Sequence, residues 1–195
     1  ENGYGAEPAS AAQAIVRVAE AGAVGGSIED FDPEGRMYEL EHATERVAAA
    51  AEAARTLDFP FTLTGRAENH IRGNPDLADT IARLHAYEGA GADVLYAPGL
   101  GTVDEIRAVC EAVSKPVNVL AIPSLSFAEM TGAGAQRISV GGALTWVAAK
   151  AFTDAASAIR DRGDFSALGA RLPGGCRRRR GGAADAGGPA AGLEH

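Results

Sequence analysis

Residues 94–121 read VLYAPGLGTVDEIRAVCEAVSKPVNVLA, and they hold one complete repeat of the architecture. Val94 to Tyr96 is a short apolar strand. The stretch from Val103 to Val113 has its apolar residues at helical spacing, and Val117 to Ala121 is a second apolar strand. Moving towards the N-terminus, a helix is predicted from Leu77 to Glu88, a strand from Phe61 to Thr64 and an Ala-rich helix from about Glu39 to Leu57. Before these come a short strand from Val24 to Ile28 and a first helix from Pro8 to Gly22, whose glycine suits a helix stop. Towards the C-terminus, a short Ser/Phe/Met segment precedes a strand from Arg137 to Val140 and a helix from Leu144 to Arg160. Five strands alternate with helices. Strict alternation forces parallel pairing, because each right-handed crossover returns the chain in the same direction. The fold class is therefore α/β, either a barrel or an open doubly wound sheet, and periodicity does not choose between them. The strands read as apolar runs, as expected of parallel strands covered on both faces.

At 195 residues and 46% hydrophobic content, the chain is long enough for one substantial core. A formal charge of -8 opposes nucleic acid and anionic membranes, so the expected partner is a small molecule, with neither nucleic acid nor membrane involved. No apolar run approaches the roughly 20 residues of a membrane span, and there is no signal-peptide layout, so a cytoplasmic location is expected. Cys110 and Cys176 lack metal-site spacing and read as free thiols. Residues 1–173 read as one domain. From Gly174 onward the chain is almost all Gly, Ala, Arg and Pro, with four consecutive arginines from Arg177 to Arg180, and reads as a disordered tail over 174–195. Its last residues, Leu193-Glu194-His195, resemble the start of a histidine tag.

Parallel α/β folds place their sites at the C-terminal ends of the strands. There the first strand gives Glu29 and Asp30, the second gives Arg66 and Glu68, and Asn118 lies within the fourth; the chain itself begins Glu1-Asn2-Gly3-Tyr4-Gly5. Clustered carboxylates suit a hard cation such as Mg²⁺, which takes oxygen ligands and keeps several waters, and Glu1 and Glu29 are the candidate ligands. The plainer reading of Glu29 and Asp30 is an acidic pair facing solvent. Arg66 suits capture of a carboxylate or phosphonate, against the alternative of an ion pair with Glu68. The four histidines, His42, His70, His85 and His195, form no ligand pair. The turn from Ser139 to Ala143 could cradle a phosphate through backbone N–H groups, although a tight strand-to-helix turn is the better reading.

Taken together, Glu1-Asn2-Gly3-Tyr4-Gly5, Ser27-Ile28-Glu29-Asp30, Gly65-Arg66-Ala67-Glu68-Asn69 and Ala90-Gly91-Ala92-Asp93-Val94 resemble the isocitrate lyase and phosphoenolpyruvate mutase superfamily. The resemblance extends to about Pro173. It implies a (β/α)₈ TIM-type barrel in which Mg²⁺, with Mn²⁺ as an alternative, supports cleavage or rearrangement of a C–C or P–C bond in a small 2-oxo or 2-hydroxy acid through a metal-stabilised enolate. It also implies a homo-oligomer. Glu1 matches the second acid of the family's metal motif and Glu29 the acid ending the next strand, both acting largely through metal-bound water. Arg66 matches the arginine that binds the substrate's acidic group, Glu68 an acid beside it, and Asn118 a polar residue at a later strand end. These three are the candidate catalytic residues.

Two departures shape the expectation. The loop from Phe31 to Tyr38 lacks the Lys-Cys-Gly-His signature of the lyases and the lysine and asparagine of the mutase loop. Isocitrate lyase activity is therefore not expected, the general acid is unidentified, and Arg36 stands as a candidate loop cation. A (β/α)₈ barrel also takes about 250 residues, so five strands correspond to a barrel lacking roughly its first three. The competing readings are a catalytically inactive barrel fragment and a metal-independent phosphate-binding barrel with its site at Gly141-Gly142.

Overall fold

The computed structural model describes residues 2–170; Glu1 and residues 171–195, including Cys176 and the arginine run, lie outside the described residues. The chain divides into two compact units, residues 1–141 and 142–195. Among the described residues no helix is long and apolar enough to cross a membrane.

In the first unit, strands β1 (Gly25–Glu29), β2 (Thr62–Arg66), β3 (Val94–Tyr96), β4 (Val117–Leu120) and β5 (Arg137–Ser139) form one sheet in the order β1-β2-β3-β4-β5. Every neighbouring pair is parallel. This order bears on the two architectures that periodicity left open and is consistent with a TIM-type barrel. A doubly wound sheet reverses its strand order at a switch point, whereas this sheet advances one strand at a time, as in a TIM-type barrel.

Helices α1 (Pro8–Glu20), α2 (Leu40–Arg55), α3 (Leu77–Gly89), α4 (Val103–Ala112) and α5 (Phe127–Gly132) make up the rest of this unit. The short Ser/Phe/Met segment before β5 thus contains a helix. A capping box starts it, with Ser126 accepting from the Glu129 main chain and Glu129 reaching back to Ser126. Thr102 and Glu105 cap α4 in the same way, and Asp76 caps α3. The second unit holds α6 (Ala143–Arg162), which opens at the Gly141-Gly142 turn, and a 3₁₀ turn from Ser166 to Gly169.

The strands are not apolar on both faces, as their composition implied. Ile28, Leu63, Leu95, Val117 and Val119 are buried with Val47, Ala51, Leu84, Tyr87, Ile106 and Val109 of the helices in one hydrophobic core. The alternate positions carry Ser27, Glu29, Thr64, Arg66, Tyr96, Asn118, Arg137 and Ser139. Because successive strand residues point to opposite faces, the sheet has one apolar face against helices and one polar face. Gly65 lies on the apolar side, where an added Cβ would come 2.8 Å from the Tyr87 Cβ and 3.2 Å from the Ala92 Cβ. We expect Gly65→Ala to push α3 away from β2 and cost about 1–3 kcal/mol, read as a lower urea midpoint at unchanged slope.

Candidate active site

The polar face is organised by strand register. Glu29 pairs with Arg66, Arg66 with Tyr96, Tyr96 with Asn118 and Asn118 with Arg137, so one residue from each of the five strands falls in a single row. Cross-strand partners project to the same side of a sheet, which brings these five side chains together although 108 positions separate the first from the last.

Arg66 is the hub at the end of β2. Its Nη1 lies 3.2 Å from Glu29 Oε2, its Nε lies 2.5 Å from Glu68 Oε1, and its guanidinium sits 5.2 Å from the centre of the Tyr96 ring. Burial works against the Arg66 charge, but the Glu68 and Glu29 carboxylates outweigh it and hold the guanidinium above its ordinary value. Glu68 is wholly buried, and its second oxygen lies 2.8 Å from Arg72 Nε. Arg72 in turn covers the Phe31 ring at 4.0 Å. The plain alternative for Arg66, an ion pair with Glu68, is therefore present in the structure, and Glu29 joins it.

Two further buried groups keep these strand ends in place. Asp30 accepts from the Glu68 main-chain N–H at 2.7 Å, from Arg83 at 3.0 Å and from the Tyr87 hydroxyl at 2.5 Å, which ties the exits of β1 and β2 to α3. Burial raises the Asp30 carboxyl above its usual range even though all three donors pull it down. So Asp30 is no solvent-facing acid. Arg46 of α2 is 0% exposed and donates to the carbonyls of Glu29 and Gly5, each at 2.9 Å, and to that of Asn2, with the Tyr38 ring 4.5 Å away. It fastens the N-terminal segment to the end of β1. Desolvation pulls its guanidinium below the ordinary value.

Asn118 is 2% exposed, with both ends of its amide engaged: Arg137 Nε donates to Oδ1 at 2.9 Å and Nδ2 donates to Ser139 Oγ at 3.0 Å. Arg137 also reaches Thr64 Oγ1 at 3.1 Å. Towards the N-terminal ends of β1 and β2, the polar face borders a cleft of about 520 Å³ lined by Ser27, Thr64 and Arg137 among others. Arg36, the candidate loop cation, instead closes its own loop by pairing with Asp32 at 3.1 Å and Glu34 at 2.6 Å, beside an antiparallel bridge between Phe31 and Met37. The described histidines lie elsewhere. His42 meets the Ala6 carbonyl, His70 is buried 3.6 Å from Glu105, and His85 lies on α3 beside Glu88.

Of the two candidate metal ligands, Glu29 stands on the polar face with its side chain 11% exposed, and Glu1 lies outside the described residues. Among the described residues no group of three His, Cys, Asp or Glu side chains converges to enclose an ion. The donor set fits Mg²⁺ in one way. That ion is commonly held by one or two carboxylates and completes its octahedron with water and substrate oxygens.

Sequence reading missed Tyr96, Arg137 and the side chain of Ser139, which it placed only at the start of a turn, and it missed Arg46. The first three sit inside or at the end of short strands, and the signal that locates them is strand register, which one sequence does not carry.

The profile of the phosphoenolpyruvate phosphomutase family matches residues 1–160. The chain belongs to this family. A Burkholderia cenocepacia J2315 protein provisionally described as a lyase/mutase is 51% identical, with a TM-score of 0.85 over 89% of this chain and 64% of its own. Phosphonopyruvate hydrolase, whose crystal structure holds oxalate and Mg²⁺, is 25% identical, with a TM-score of 0.74 over 88% of this chain and 62% of its own. Oxaloacetate decarboxylase of Rhodopseudomonas palustris strain BisB5 is 28% identical over 83% of this chain and 57% of its own. The chain thus spans less than two thirds of the length of each of these relatives.

The Asp30 cluster gives the most direct stability test. Asp30→Ala strands Arg83 and Tyr87 in the interior and should cost about 3–5 kcal/mol, whereas Asp30→Asn, which keeps an acceptor, should cost less. Thermal melts of the two variants decide this, and equal losses would contradict it.

Proposed function

We propose that this family member cleaves or rearranges a C–C or P–C bond in a small 2-oxo acid, with a divalent cation, Mg²⁺ or Mn²⁺, as its cofactor. The observation that carries the reading is the position of Arg66. A guanidinium at the end of a parallel strand, held by two carboxylates and lying on the same face as Glu29, is a fixed positive centre for the acidic group of a substrate. The hydrolase and decarboxylase relatives act on molecules of this class, as their names state.

In this reading Arg66 binds and orients the substrate's acidic group, and Glu68 fixes the plane of the guanidinium from behind. Glu29 holds the cation through water, with Glu1 as the second candidate ligand. The cation, when bound, supplies positive charge beside the oxygen on which negative charge develops. Asn118 holds the far side of the row through Arg137 and Ser139. Fixed charges aimed at a developing oxyanion lower a barrier without reorganising during the reaction. The proposal extends to the full architecture, in which the five strands are part of a (β/α)₈ barrel, residues 1–173 act as one domain, and the protein works as a cytoplasmic homo-oligomer on a small anionic substrate.

Calorimetric titration with Mg²⁺ and then oxalate, which mimics the enolate of a 2-oxo acid, tests the reading. We expect oxalate binding that depends on Mg²⁺ and weakens by about 10- to 100-fold in Arg66→Ala, the worth of a hydrogen bond to a charged group. Oxalate that binds equally well without the cation, or equally well to the folded variant, overturns it.

A further inference from the structure

The lyase, hydrolase and decarboxylase reactions open to this site leave an enolate that needs a proton, and the proton donor is the missing part. In the row of five side chains, arginine and asparagine do not release protons near neutral pH, and Glu29 is paired with Arg66. The described histidines and Cys110 lie outside the row. The phenol of Tyr96 remains, between Arg66 and Asn118 in register and half-buried.

The hydrogen bonds around it have a direction. Arg137 can only donate, so the Asn118 oxygen must face it, and the Asn118 amide nitrogen then donates to Ser139 Oγ. With its oxygen receiving that bond, Ser139 has its own proton to turn towards the Tyr96 phenol, whose ionisation it favours. The observed bonds run Arg137 to Asn118 to Ser139, each donating to the next, and the Arg66 guanidinium lies 5.2 Å from the centre of the Tyr96 ring. Each of these contacts stabilises a phenolate more than a phenol, and together they leave the phenol proton for an acceptor on the polar face. Burial acts first and in the opposite sense, raising the phenol above its ordinary value, so that Tyr96 carries its proton at neutral pH; Arg66 and Ser139 ease its release.

Resting on the function proposed above, we infer that Tyr96 is the general acid that protonates the enolate carbon after bond cleavage, with Ser139 and Asn118 as positioning residues behind it. In this step the enolate electron pair forms the new C–H bond, the phenol O–H bond breaks, the charge passes to the phenolate, and solvent restores the phenol proton. The inference narrows the reaction to those that end in a protonated product, cleavage followed by proton transfer, and away from rearrangement.

Microscopic reversibility makes pyruvate the probe, because the same group must remove a proton from its methyl carbon to regenerate the enolate. With Mg²⁺ present, exchange of pyruvate C3 protons in D₂O is followed by NMR for the wild-type chain, Tyr96→Phe and Ser139→Ala, alongside oxalate affinity by calorimetry. Tyr96→Phe should slow exchange by about 100-fold or more, the usual worth of a positioned acid, while oxalate affinity stays within about threefold. Ser139→Ala should slow exchange less and shift its pH profile upward. Exchange in Tyr96→Phe equal to wild type overturns the inference, as does a loss of exchange matched by an equal loss of oxalate affinity. A wild-type chain that binds oxalate with Mg²⁺ but exchanges no protons also overturns it and leaves the proposed site standing. A folded wild-type chain that binds no oxalate overturns the function itself, and the role of Tyr96 with it.

Discussion

A carboxylate removed from water has to be paired, and that requirement at Glu68 organises the strand ends around it. Its two oxygens are divided between Arg66 and Arg72, and its main-chain N–H is bound by Asp30. Each partner is itself fixed. Arg72 lies over Phe31, Asp30 is bound to Arg83 and Tyr87, and Arg66 meets Glu29. A shift of the β2 exit would therefore break several charge-assisted bonds at once, which gives Arg66 one position at the end of its strand. The distance between the Glu29 and Arg66 side chains follows from this network as well as from strand pairing.

Such an arrangement is a poor way to gain stability. Glu29, Asp30, Arg46, Glu68 and Arg83 are all buried, and taking charged groups out of water costs several kcal/mol per ion before their attractions return any of it. Apolar residues of similar volume would fold the same sheet at lower cost. The charges gather at the C-terminal ends of β1 and β2 and on the helices behind them, while the core on the other face is built from Ile, Leu, Val and Ala. Geometry at the strand ends is what these buried pairs secure.

Much of this was readable from the sequence. The alternation of short apolar runs with helical periods located all five strands and the long helices, and the rule that sites lie at the ends of parallel strands picked out Glu29, Arg66 and Glu68. The order of the strands was not readable, because nothing local in a parallel strand states which neighbour it pairs with. Tyr96 and Arg137 went unnoticed for the same reason, since a polar residue in a three-residue strand is prominent only once register sets it beside Arg66 and Asn118. The helix at Phe127 was legible in its Ser126 and Glu129 capping box, but six residues give too little periodicity to register as a helix. Arg46 gave no signal at all; an arginine in an Ala-rich helix ordinarily points to solvent, and only the fold brings two carbonyls of the N-terminal segment and one from the end of β1 around it.

If the polar row is a substrate site, Arg66 is the group that binds the substrate's acid. A crystal structure of the protein grown with Mg²⁺ and oxalate tests it most directly. The account predicts oxalate within hydrogen-bond reach of the Arg66 guanidinium, on the face shared by Glu29 and Tyr96. Oxalate bound away from that row, with Arg66 still engaged by Glu29 and Glu68 alone, would contradict it.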